Sequence, residues 1–445
     1  MRLIPVFILR RIADRQGLVQ VVDNIGWLFF DKILRLGVGL LVAVWIARYL
    51  GPSGFGLINF ALALTSVFSA VAGLGLHGIV VRDLIRDPGG ARLTLGSAVL
   101  LQVISGFLAY VLMLGVSAYL RPDDALFRCV TAIIGGMILF KACEVAAFRF
   151  ESKLQSKYTV LVQGGVFVLF SGMKVGLILH DAPLIAFAWA MFAETALTGI
   201  ALLTVMSRID LRLKTLMASH DRVRSLLMDG WPLAISALAM ILNMRIDQVM
   251  LGELIGNEAV GVYAASVRVA EAWYFIPLAV IASVFPSVSH ARDCNRRLYH
   301  VRLKLLHDSV AALALSVALV TMCIARPLMA LLYGKEFEAG GEVLAVLAWC
   351  GVFASLGFAS GRWYVLEDLQ RLALLRNLFG VAINVVMNAL LIPLHGPLGA
   401  AVSTLIALWC ATVLFDAFDK RTRDIFLMKL EALLLIGLFR RWFSR

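Results

Sequence analysis

The sequence is poor in charge and in the patterns that soluble enzymes carry. Of its 445 residues, 16% are charged and 61% are hydrophobic, and the mean hydropathy is +0.89. A soluble domain usually has about a quarter of its residues charged. This composition excludes an ordinary soluble protein and predicts a polytopic membrane protein.

Cysteine and histidine spacing gives no disulfide or metal pattern. The six cysteines have no paired spacing, and all except Cys294 lie in apolar runs, where a thiol usually behaves as a small buried hydrophobe. The seven histidines are scattered, and no phosphate-binding glycine loop is followed by Lys-Ser or Lys-Thr. The sequence therefore predicts no metal site, no cofactor, no catalytic residue and no ATP hydrolysis, so we expect a protein that is not an enzyme.

Long apolar runs are what the sequence has instead. Crossing the hydrocarbon core takes about 20 apolar residues, and about twelve such runs are present in two sets of six. They cover 24–48, 56–76, 93–119, 127–148, 158–179 and 183–206, then 231–253, 259–287, 306–325, 343–366, 377–394 and 398–418. The predicted fold is all-α, about 12 transmembrane helices in two six-helix bundles. The predicted domains are an N-terminal six-helix lobe 1–206, a cytoplasmic interlobe linker 207–230, a C-terminal six-helix lobe 231–418 and a basic amphipathic tail 419–445.

The net charge of +12 is distributed along the chain in a way that indicates orientation. Alternate connections, together with the basic N-terminal segment (Arg2, Arg10, Arg11 and Arg15) and the tail, hold roughly 29 Lys and Arg, and the intervening connections hold about four. Positive residues near helix ends are retained in the cytoplasm. Both termini are therefore expected to be cytoplasmic, and a nucleic-acid partner is disfavoured.

The last apolar stretch, 425–439, is short for a span and contains Lys429 and Glu431. We expect an amphipathic helix on the cytoplasmic leaflet, where basic residues meet anionic lipid. A thirteenth span is the alternative.

A weak internal repeat relates the two sets of six. Residues 50–58 (LGPSGFGLI) align without gaps on residues 255–263 (IGNEAVGVY), and Gly51 and Gly56 then coincide with Gly256 and Gly261. Both segments lie in the turn between the first two spans of a set. A parallel repeat of this kind is common in transporters, although chance similarity between glycine-containing turns remains an alternative.

The spacing of small residues predicts close packing between helices at two pairs of glycines. Gly172 and Gly176, like Gly357 and Gly361, form the small-xxx-small pattern that lets two membrane helices approach.

Twelve ionisable groups lie well inside the predicted spans. They are Lys32, Arg35, Lys141, Lys174, Arg245, Arg268 and Arg362, with Asp31, Glu144, Glu194, Asp247 and Glu271. Facing lipid, they would together cost on the order of 30 kcal/mol, more than the net stability of a whole domain, about 5–15 kcal/mol. Most are therefore expected to face a shared interior.

Spacing suggests which of these charges neutralise each other. Three pairs are three or four residues apart on one helix and are expected to meet: Asp31 with Arg35, Lys141 with Glu144, and Arg268 with Glu271. Mutual neutralisation and a substrate role both fit these pairs.

Other charges in the spans have no partner on their own helix. Lys174 lies nearer a span end and is expected either to reach the headgroups or to serve function. Arg245 and Asp247 are two residues apart and point to different sides, so Arg245 has no acid on its own helix. The excess of positive charge favours an anionic cargo.

Several patches resemble one family of transporters. Residues 47–56 (ARYLGPSGFG) resemble the first-hairpin signature of the Wzx-type polysaccharide (O-antigen) flippases, in the multidrug/oligosaccharidyl-lipid/polysaccharide exporter superfamily. Residues 245–252 (RIDQVMLG) and 260–265 (VGVYAA), with Glu271, resemble the start of that family's second lobe. A further patch resembles that family's penultimate hairpin and consists of Asn384, Asn388, Ile392, Pro393, Gly396, Gly399, Ala400, Ala401 and Thr404.

The resemblance implies a V of two bundles around a central cavity that opens alternately to each side. It implies an undecaprenyl-diphosphate-linked oligosaccharide as cargo, a bacterial inner-membrane location, and a polysaccharide polymerase and export machinery as partners. The candidate substrate-binding residues are then Lys32, Arg35 and Arg245, supported by Lys141, Lys174 and Arg268. The candidates for ion coupling are Asp31, Glu194, Asp247 and Glu271.

Three other functions stay open at this point. A multidrug-type cation antiporter of the same superfamily would require an acidic cavity, and a lipid II flippase would differ only in cargo. A membrane glycosyltransferase or polymerase would require an outward loop with catalytic acids, which the sequence lacks.

Overall fold

The computed structural model describes residues 16–435, and within that range all regular secondary structure is helical. The basic N-terminal segment used for the orientation, and residues 436–445 of the tail, lie outside it. The first half contains α1 (Gln16–Gly73), α2 (Leu76–Arg86), α3 (Ala91–Leu120), α4 (Ala125–Gly135), α5 (Val145–Ser152), α6 (Ser156–Leu179) and α7 (Leu184–Ile209). A nine-residue 3-10 helix, Gly136–Glu144, joins α4 to α5.

The second half has the same kind of elements. It contains α8 (His220–Leu254), α9 (Asn257–Glu271), α10 (Phe275–Cys294), α11 (Arg296–Tyr333), α12 (Gly340–Leu366), α13 (Gln370–Thr412) and α14 (Arg423–Leu433). Short 3-10 turns occur at Leu213–Thr215, Lys335–Phe337 and Leu414–Ala417.

Ten helices in the described range are long and apolar enough to cross a membrane. Two of them contain a glycine with non-helical backbone angles, Gly51 in α1 (φ 68°, ψ 175°) and Gly396 in α13 (φ 54°, ψ −131°). Each glycine is next to a proline, and a positive φ is tolerated there because glycine has no Cβ. These breaks lie where two predicted spans meet, but the count of twelve and the V arrangement stay predictions.

The chain forms two compact units. Unit 1 is the part up to Leu50 with Phe60–Ile241, and unit 2 is Gly51–Asn59 with the chain from Leu242 on. The predicted lobes and linker stay a prediction, and residues 220–230 of the expected linker form the first turns of α8.

In unit 1, helices α2, α3 and α5 share an apolar core with the start of α8. Leu76, Val80, Leu95 and Val145 are fully buried in this core, and Leu226 joins them. Arg222 also donates to Asp83 at 2.7 Å and to Thr94 at 3.1 Å. The N-terminal part of α8 is thereby fixed to unit 1.

In unit 2, helices α10, α11 and α12 pack together and α14 docks on them. The tail contains a helix, α14, on which the Lys429 side chain is fully buried, and its predicted place on the cytoplasmic leaflet stays a prediction. The Lys429 ammonium donates to Asp416 and to the Thr412 carbonyl, both at 2.6 Å. Eleven residues rise about 16 Å, short of the roughly 30 Å of a bilayer core, so α14 does not by itself form a thirteenth span.

The internal repeat has a geometric counterpart inside unit 2. Gly51 and Gly256 both have positive φ (68° and 126°) and ψ near 180° (175° and −177°). A methyl group added at Gly56 would lie 1.7 Å from the Asn257 carbonyl oxygen, and one at Gly261 would lie 2.0 Å from the Pro52 carbonyl oxygen. In the alignment of the repeat, Pro52 corresponds to Asn257 and Gly56 to Gly261, so exchanging the two segments converts one contact into the other. The two segments therefore meet with local two-fold symmetry.

Close packing at Gly172 and Gly176 is not observed. A methyl group added at either glycine would have no described atom within 4 Å. The prediction from the small-xxx-small pattern is therefore wrong at these two positions. A methyl group added at Gly357 would lie 3.0 Å from the Cγ2 atom of Thr412, but one added at Gly361 would again have no described atom within 4 Å. In the second pair, close packing is therefore observed at Gly357 and not at Gly361.

Candidate functional site

Unit 2 buries one carboxylate among neutral donors. Asp247 on α8 is 3% exposed. Its Oδ2 atom accepts hydrogen bonds from the hydroxyls of Tyr263 on α9 and Thr404 on α13, both at 2.8 Å. Its Oδ1 atom accepts one at 2.6 Å from the amide of Asn388, which also donates to Asn384 at 3.0 Å. We call these five residues the Asp247 cluster.

The chemistry of the Asp247 cluster suits a proton or a small hard cation. Within the described chain, Asp247 makes no ion pair, and its partners are hydroxyl and amide groups. The Oδ1 atom of Asn388 and the Nδ2 atom of Asn384 are buried without a hydrogen-bond partner. An unpartnered amide oxygen next to a carboxylate is a ligand set for cations that prefer oxygen. No group of three His, Cys, Asp or Glu side chains able to hold a metal is found among residues 16–435.

Sequence reasoning identified only part of this cluster as a site. Asp247 was predicted as a coupling residue, but Tyr263 was not assigned a role. Asn384 and Asn388 carried the family resemblance, and their four-residue spacing on an apolar helix predicts that they share one face. This spacing could have predicted from the sequence that the two asparagines belong to one polar cluster.

A second group in unit 2 carries excess positive charge. Arg245 on α8 and Arg268 on α9 are close enough to Glu271 for each charge to act on its carboxylate. Arg245 makes no hydrogen bond or ion pair with any described residue, as its lack of a partner on α8 predicts. Two arginines therefore lie near one glutamate without a direct ion pair to it, and we call these three residues the Arg245 cluster.

The predicted contact between Arg268 and Glu271 is not a direct ion pair. Arg268 instead donates to the Asn59 side chain at 3.3 Å, and its guanidinium lies 5.3 Å from the centre of the Phe55 ring. Spacing of three residues permits a contact but does not require one, because the long arginine side chain reaches partners on other segments.

Unit 1 pairs its charges on one helix at two places, as the spacing predicts. Arg35 donates to Asp31 at 2.9 Å and stands 5.2 Å from the centre of the Phe167 ring. Lys141 donates to Glu144 at 2.9 Å within the 3-10 helix. Lys32 is exposed and makes no hydrogen bond or ion pair with a described residue.

Lys174 does not reach toward the headgroups. It is 9% exposed and donates to Glu194 at 2.6 Å, which joins α6 to α7. The reading of Lys174 as a snorkelling residue is therefore wrong. Spacing along one helix gives no sign of a partner twenty residues away on the next helix.

These positions divide the predicted site residues into separate groups. Arg245, Arg268 and Glu271 come together in unit 2, and Asp247 belongs to its own cluster. In unit 1, the pairs of Asp31 with Arg35, Lys141 with Glu144, and Lys174 with Glu194 are local contacts. The roles assigned to all of these residues from the sequence stay predictions.

Comparison with known proteins gives the family. The family model described as "Polysaccharide biosynthesis protein" matches residues 21–291, more than half of the chain. The chain belongs to this family. The resemblance to polysaccharide flippases read from the sequence is thereby confirmed.

Two curated relatives match most of this family member. The probable flippase AglR of Haloferax volcanii is 23% identical over 87% of this chain and 80% of its own. The putative O-antigen transporter of Shigella flexneri is 20% identical over 90% of this chain and 96% of its own. With ten apolar helices, these relatives indicate a multi-pass membrane protein.

Two solved structures have the same fold. One is the inward-facing conformation of a multidrug resistance MATE family transporter of the MOP superfamily, with a TM-score of 0.70 and 14% identity over 91% of this chain and 96% of that one. The other is the lipid II flippase MurJ in an inward closed conformation, with a TM-score of 0.67 and 14% identity over 94% and 93%. At this identity the likeness is one of fold.

Proposed function

We propose that this protein is a flippase that moves an isoprenoid-diphosphate-linked oligosaccharide across the cytoplasmic membrane by alternating access, for export of a surface polysaccharide. The observation that carries the proposal is the Arg245 cluster, in which two arginines on membrane-spanning helices share a single glutamate. The names of the relatives, a flippase and an O-antigen transporter, support the same class of cargo.

A diphosphate is the cargo group that this cluster fits best. Guanidinium groups bind phosphate oxygens through paired, charge-assisted hydrogen bonds. Arg245 has its donors free of described partners, so binding a phosphate requires no existing hydrogen bond to break. Lys32 and Arg35 are proposed as further contacts in unit 1, with Lys141, Lys174 and Arg268 in support.

Transport is proposed to be coupled to an ion at the Asp247 cluster. The carboxylate makes no ion pair with a described residue, so a proton or a monovalent cation is the natural charge to balance it. Glu271 lies beside two arginines, and Asp31 and Glu194 are each paired with a basic residue. These three acids are weaker coupling candidates for that reason.

We infer that the protein lies in a bacterial inner membrane with both termini in the cytoplasm. The asymmetric distribution of Lys and Arg over alternate connections supports this orientation. Undecaprenyl diphosphate is the proposed lipid, and a polysaccharide polymerase and export machinery are the proposed partners.

Reconstitution into liposomes tests the proposal. The probe is an undecaprenyl-diphosphate-linked oligosaccharide of defined structure, and its arrival in the other leaflet is followed by a sugar-oxidising reagent that does not cross the membrane. We expect flipping faster than in protein-free liposomes, with a rate that responds to a proton or sodium gradient. A rate equal to that of protein-free liposomes would contradict it.

Two alternatives are separated in the same liposomes. The MATE-like fold is compatible with a multidrug-type cation antiporter. The two arginines near one glutamate disfavour a cationic cargo, because the excess positive charge repels cations. Uptake of a cationic dye without flipping of the lipid would favour the antiporter. Flipping of lipid II in preference to the oligosaccharide lipid would favour the lipid II flippase.

A further inference from the structure

Unit 1 contains a cavity of about 280 Å³ that the clusters in unit 2 do not use. Its walls come from α1, the 3-10 helix, α6 and α7. The residues that carry the argument are Thr65, Ser69, Lys141, Glu144, Gln163 and Thr198. All of them belong to helices long and apolar enough to span a membrane, so such a polar wall is unexpected.

Hydrogen-bonding groups on this wall remain available to a ligand. The hydroxyls of Thr65 and Thr198 donate to carbonyls one turn back, both at 2.7 Å, which leaves their oxygens free to accept. Ser69 and Gln163 make no hydrogen bond with any described residue. Polar groups inside a bilayer are costly unless something satisfies them, so this wall is suited to a ligand with many hydroxyls.

The 3-10 helix adds a charge pair to the same wall. Side chains three residues apart are aligned in a 3-10 helix, which brings the Lys141 ammonium to 2.9 Å from the Glu144 carboxylate. These side chains are 25% and 45% exposed, so the pair lies open to the cavity. It offers strong donors and acceptors together but no net charge. A neutral polar ligand fits this wall better than a diphosphate.

An aromatic ring and the size of the cavity complete the description. Phe140 lines the cavity, and Phe192 packs edge-on against it with ring centroids 5.7 Å apart. An aromatic ring is the usual partner for the apolar face of a sugar. Pockets for drug-sized ligands have volumes of about 300–1,000 Å³, so a cavity of 280 Å³ suits a single ring.

We propose that this cavity binds one sugar residue of the lipid-linked cargo, with Lys141 and Glu144 as the residues that determine which sugar is accepted. The proposal rests on the proposed function and extends it, because it separates recognition of the glycan in unit 1 from recognition of the diphosphate at the Arg245 cluster. Lys141, which the sequence offered as a phosphate contact, becomes a sugar contact.

Cys143 lies on the cavity wall and provides a native reporter. In a variant whose other five cysteines are replaced by alanine, the rate of alkylation of Cys143 by N-ethylmaleimide is measured in liposomes. The probes are undecaprenyl diphosphate alone and undecaprenyl diphosphate bearing a neutral hexose, an N-acetylhexosamine or a uronic acid. We expect at least one sugar-bearing probe to slow alkylation about tenfold, and the sugarless lipid to leave the rate unchanged.

Two variants test the charge pair. Lys141→Gln and Glu144→Gln are expected to raise the concentration of sugar-bearing probe needed for protection about tenfold or more, because each loses a charge-assisted hydrogen bond. Lys157→Gln, a lysine of unit 1 outside the cavity, should leave it unchanged. A second reporter, Ser69→Cys with Cys143 also replaced by alanine, gives the same readout if Cys143 is alkylated too slowly to follow.

Protection by the sugarless lipid, or no protection by any probe at either reporter, would overturn the proposal. Flipping of the same probes, measured in parallel, tests the proposed function separately. Flipping without protection rejects the sugar cavity and retains the flippase. Protection without flipping retains the cavity and rejects the flippase.

Discussion

The two units treat charge inside their spanning helices differently. In unit 1, Arg35, Lys141 and Lys174 each contact one carboxylate, at distances between 2.6 and 2.9 Å. In unit 2, Arg245 and Arg268 share Glu271, and Asp247 is held by neutral groups alone. These three cations of unit 1 are each balanced by a direct ion pair, whereas among the described residues neither Arg245, Arg268 nor Asp247 in unit 2 forms one.

The state of each charge indicates where a charged ligand is expected to bind. A paired cation must give up its partner to bind an anion, and the lost contact reduces the gain. An unpaired arginine or a carboxylate held by hydroxyls has no such loss. We therefore propose that the diphosphate binds mainly at the Arg245 cluster and the coupling ion at the Asp247 cluster, both in unit 2. Lys32 and Arg35 of unit 1 are the weaker phosphate contacts in this proposal.

The largest effect is expected at the ion pair of Lys429 with Asp416 in unit 2, whose side chains are both fully buried among the described residues. Lys429→Met leaves Asp416 buried without its cation and should lower the free energy of unfolding by about 3–5 kcal/mol, because an unpaired buried charge is destabilising. Thermal unfolding in detergent measures this. Lys420→Met, at an exposed lysine nearby, should change little, and Lys429→Met with Asp416→Leu should recover much of the loss. A full-sized loss in the double variant would contradict the pairing.

A pH effect follows from the same lysine. Burial lowers the pKa of Lys429 from 10.5 to about 8. Between pH 8 and 10.5 the unfolded chain therefore holds more protons than the folded one, and the free energy of unfolding rises with pH through that window. The difference in melting temperature between wild type and the double variant should show this slope. A flat profile between pH 8 and 10.5 would mean that the lysine stays charged when folded.

Replacing one arginine in each unit tests whether the lipid diphosphate binds mainly in unit 2. Arg245→Gln should weaken binding of the lipid diphosphate about tenfold to a hundredfold, because it removes charge-assisted hydrogen bonds. Arg35→Gln should cost only a few-fold, since Asp31 already engages that guanidinium. Flipping rates at several lipid concentrations measure both, with the exposed Arg326→Gln as control. If Arg35→Gln and Arg245→Gln both flip at the wild-type rate, the phosphate contacts lie elsewhere.

The proposed coupling of transport to an ion is tested by replacing one acid in each unit, Asp247 in unit 2 and Glu194 in unit 1. Asp247→Asn should abolish the dependence of flipping on the ion gradient. The stimulation of flipping by the gradient that is lost should be about 5–150-fold, the factor that corresponds to a usual coupling free energy of about 1–3 kcal/mol. Glu194→Gln should keep that dependence, because Lys174 already balances Glu194. Flipping is measured with and without proton and sodium gradients. A gradient response retained in Asp247→Asn but lost in Glu194→Gln would move the coupling site to unit 1.

The smallest effect concerns backbone packing. Gly261→Ala places a methyl group 2.0 Å from the Pro52 carbonyl oxygen and should destabilise the protein by about 1–3 kcal/mol. Gly172→Ala, in a helix of unit 1 with no described atom within 4 Å, should be neutral or slightly stabilising. Melting temperatures in detergent separate the two. Equal effects would mean that the contact between the repeat segments is not tight.

Features that depend on neighbours along one helix could be predicted from the sequence. The contacts of Asp31 with Arg35 and of Lys141 with Glu144 follow from spacing. The partner of Lys174 is on another helix, so no spacing rule identifies it. The tight contact at Gly56 and Gly261 was visible only as a sequence repeat, whereas the better-known pattern at Gly172 and Gly176 makes no close contact. Small residues permit helices to approach, but the rest of the interface decides whether they do.

The class of protein, the family and the apolar helices can be predicted from the sequence alone, because these depend on composition, run length and local motifs. Tertiary structure decided which charges are balanced, since Lys174 found an acid on α7 while Asp247 found the hydroxyls and amide of α9 and α13. It also decided that Lys429 of the tail is buried against Asp416. The physical reason is that the free energy of a charge inside a membrane protein depends on the partners that packing brings within hydrogen-bond distance.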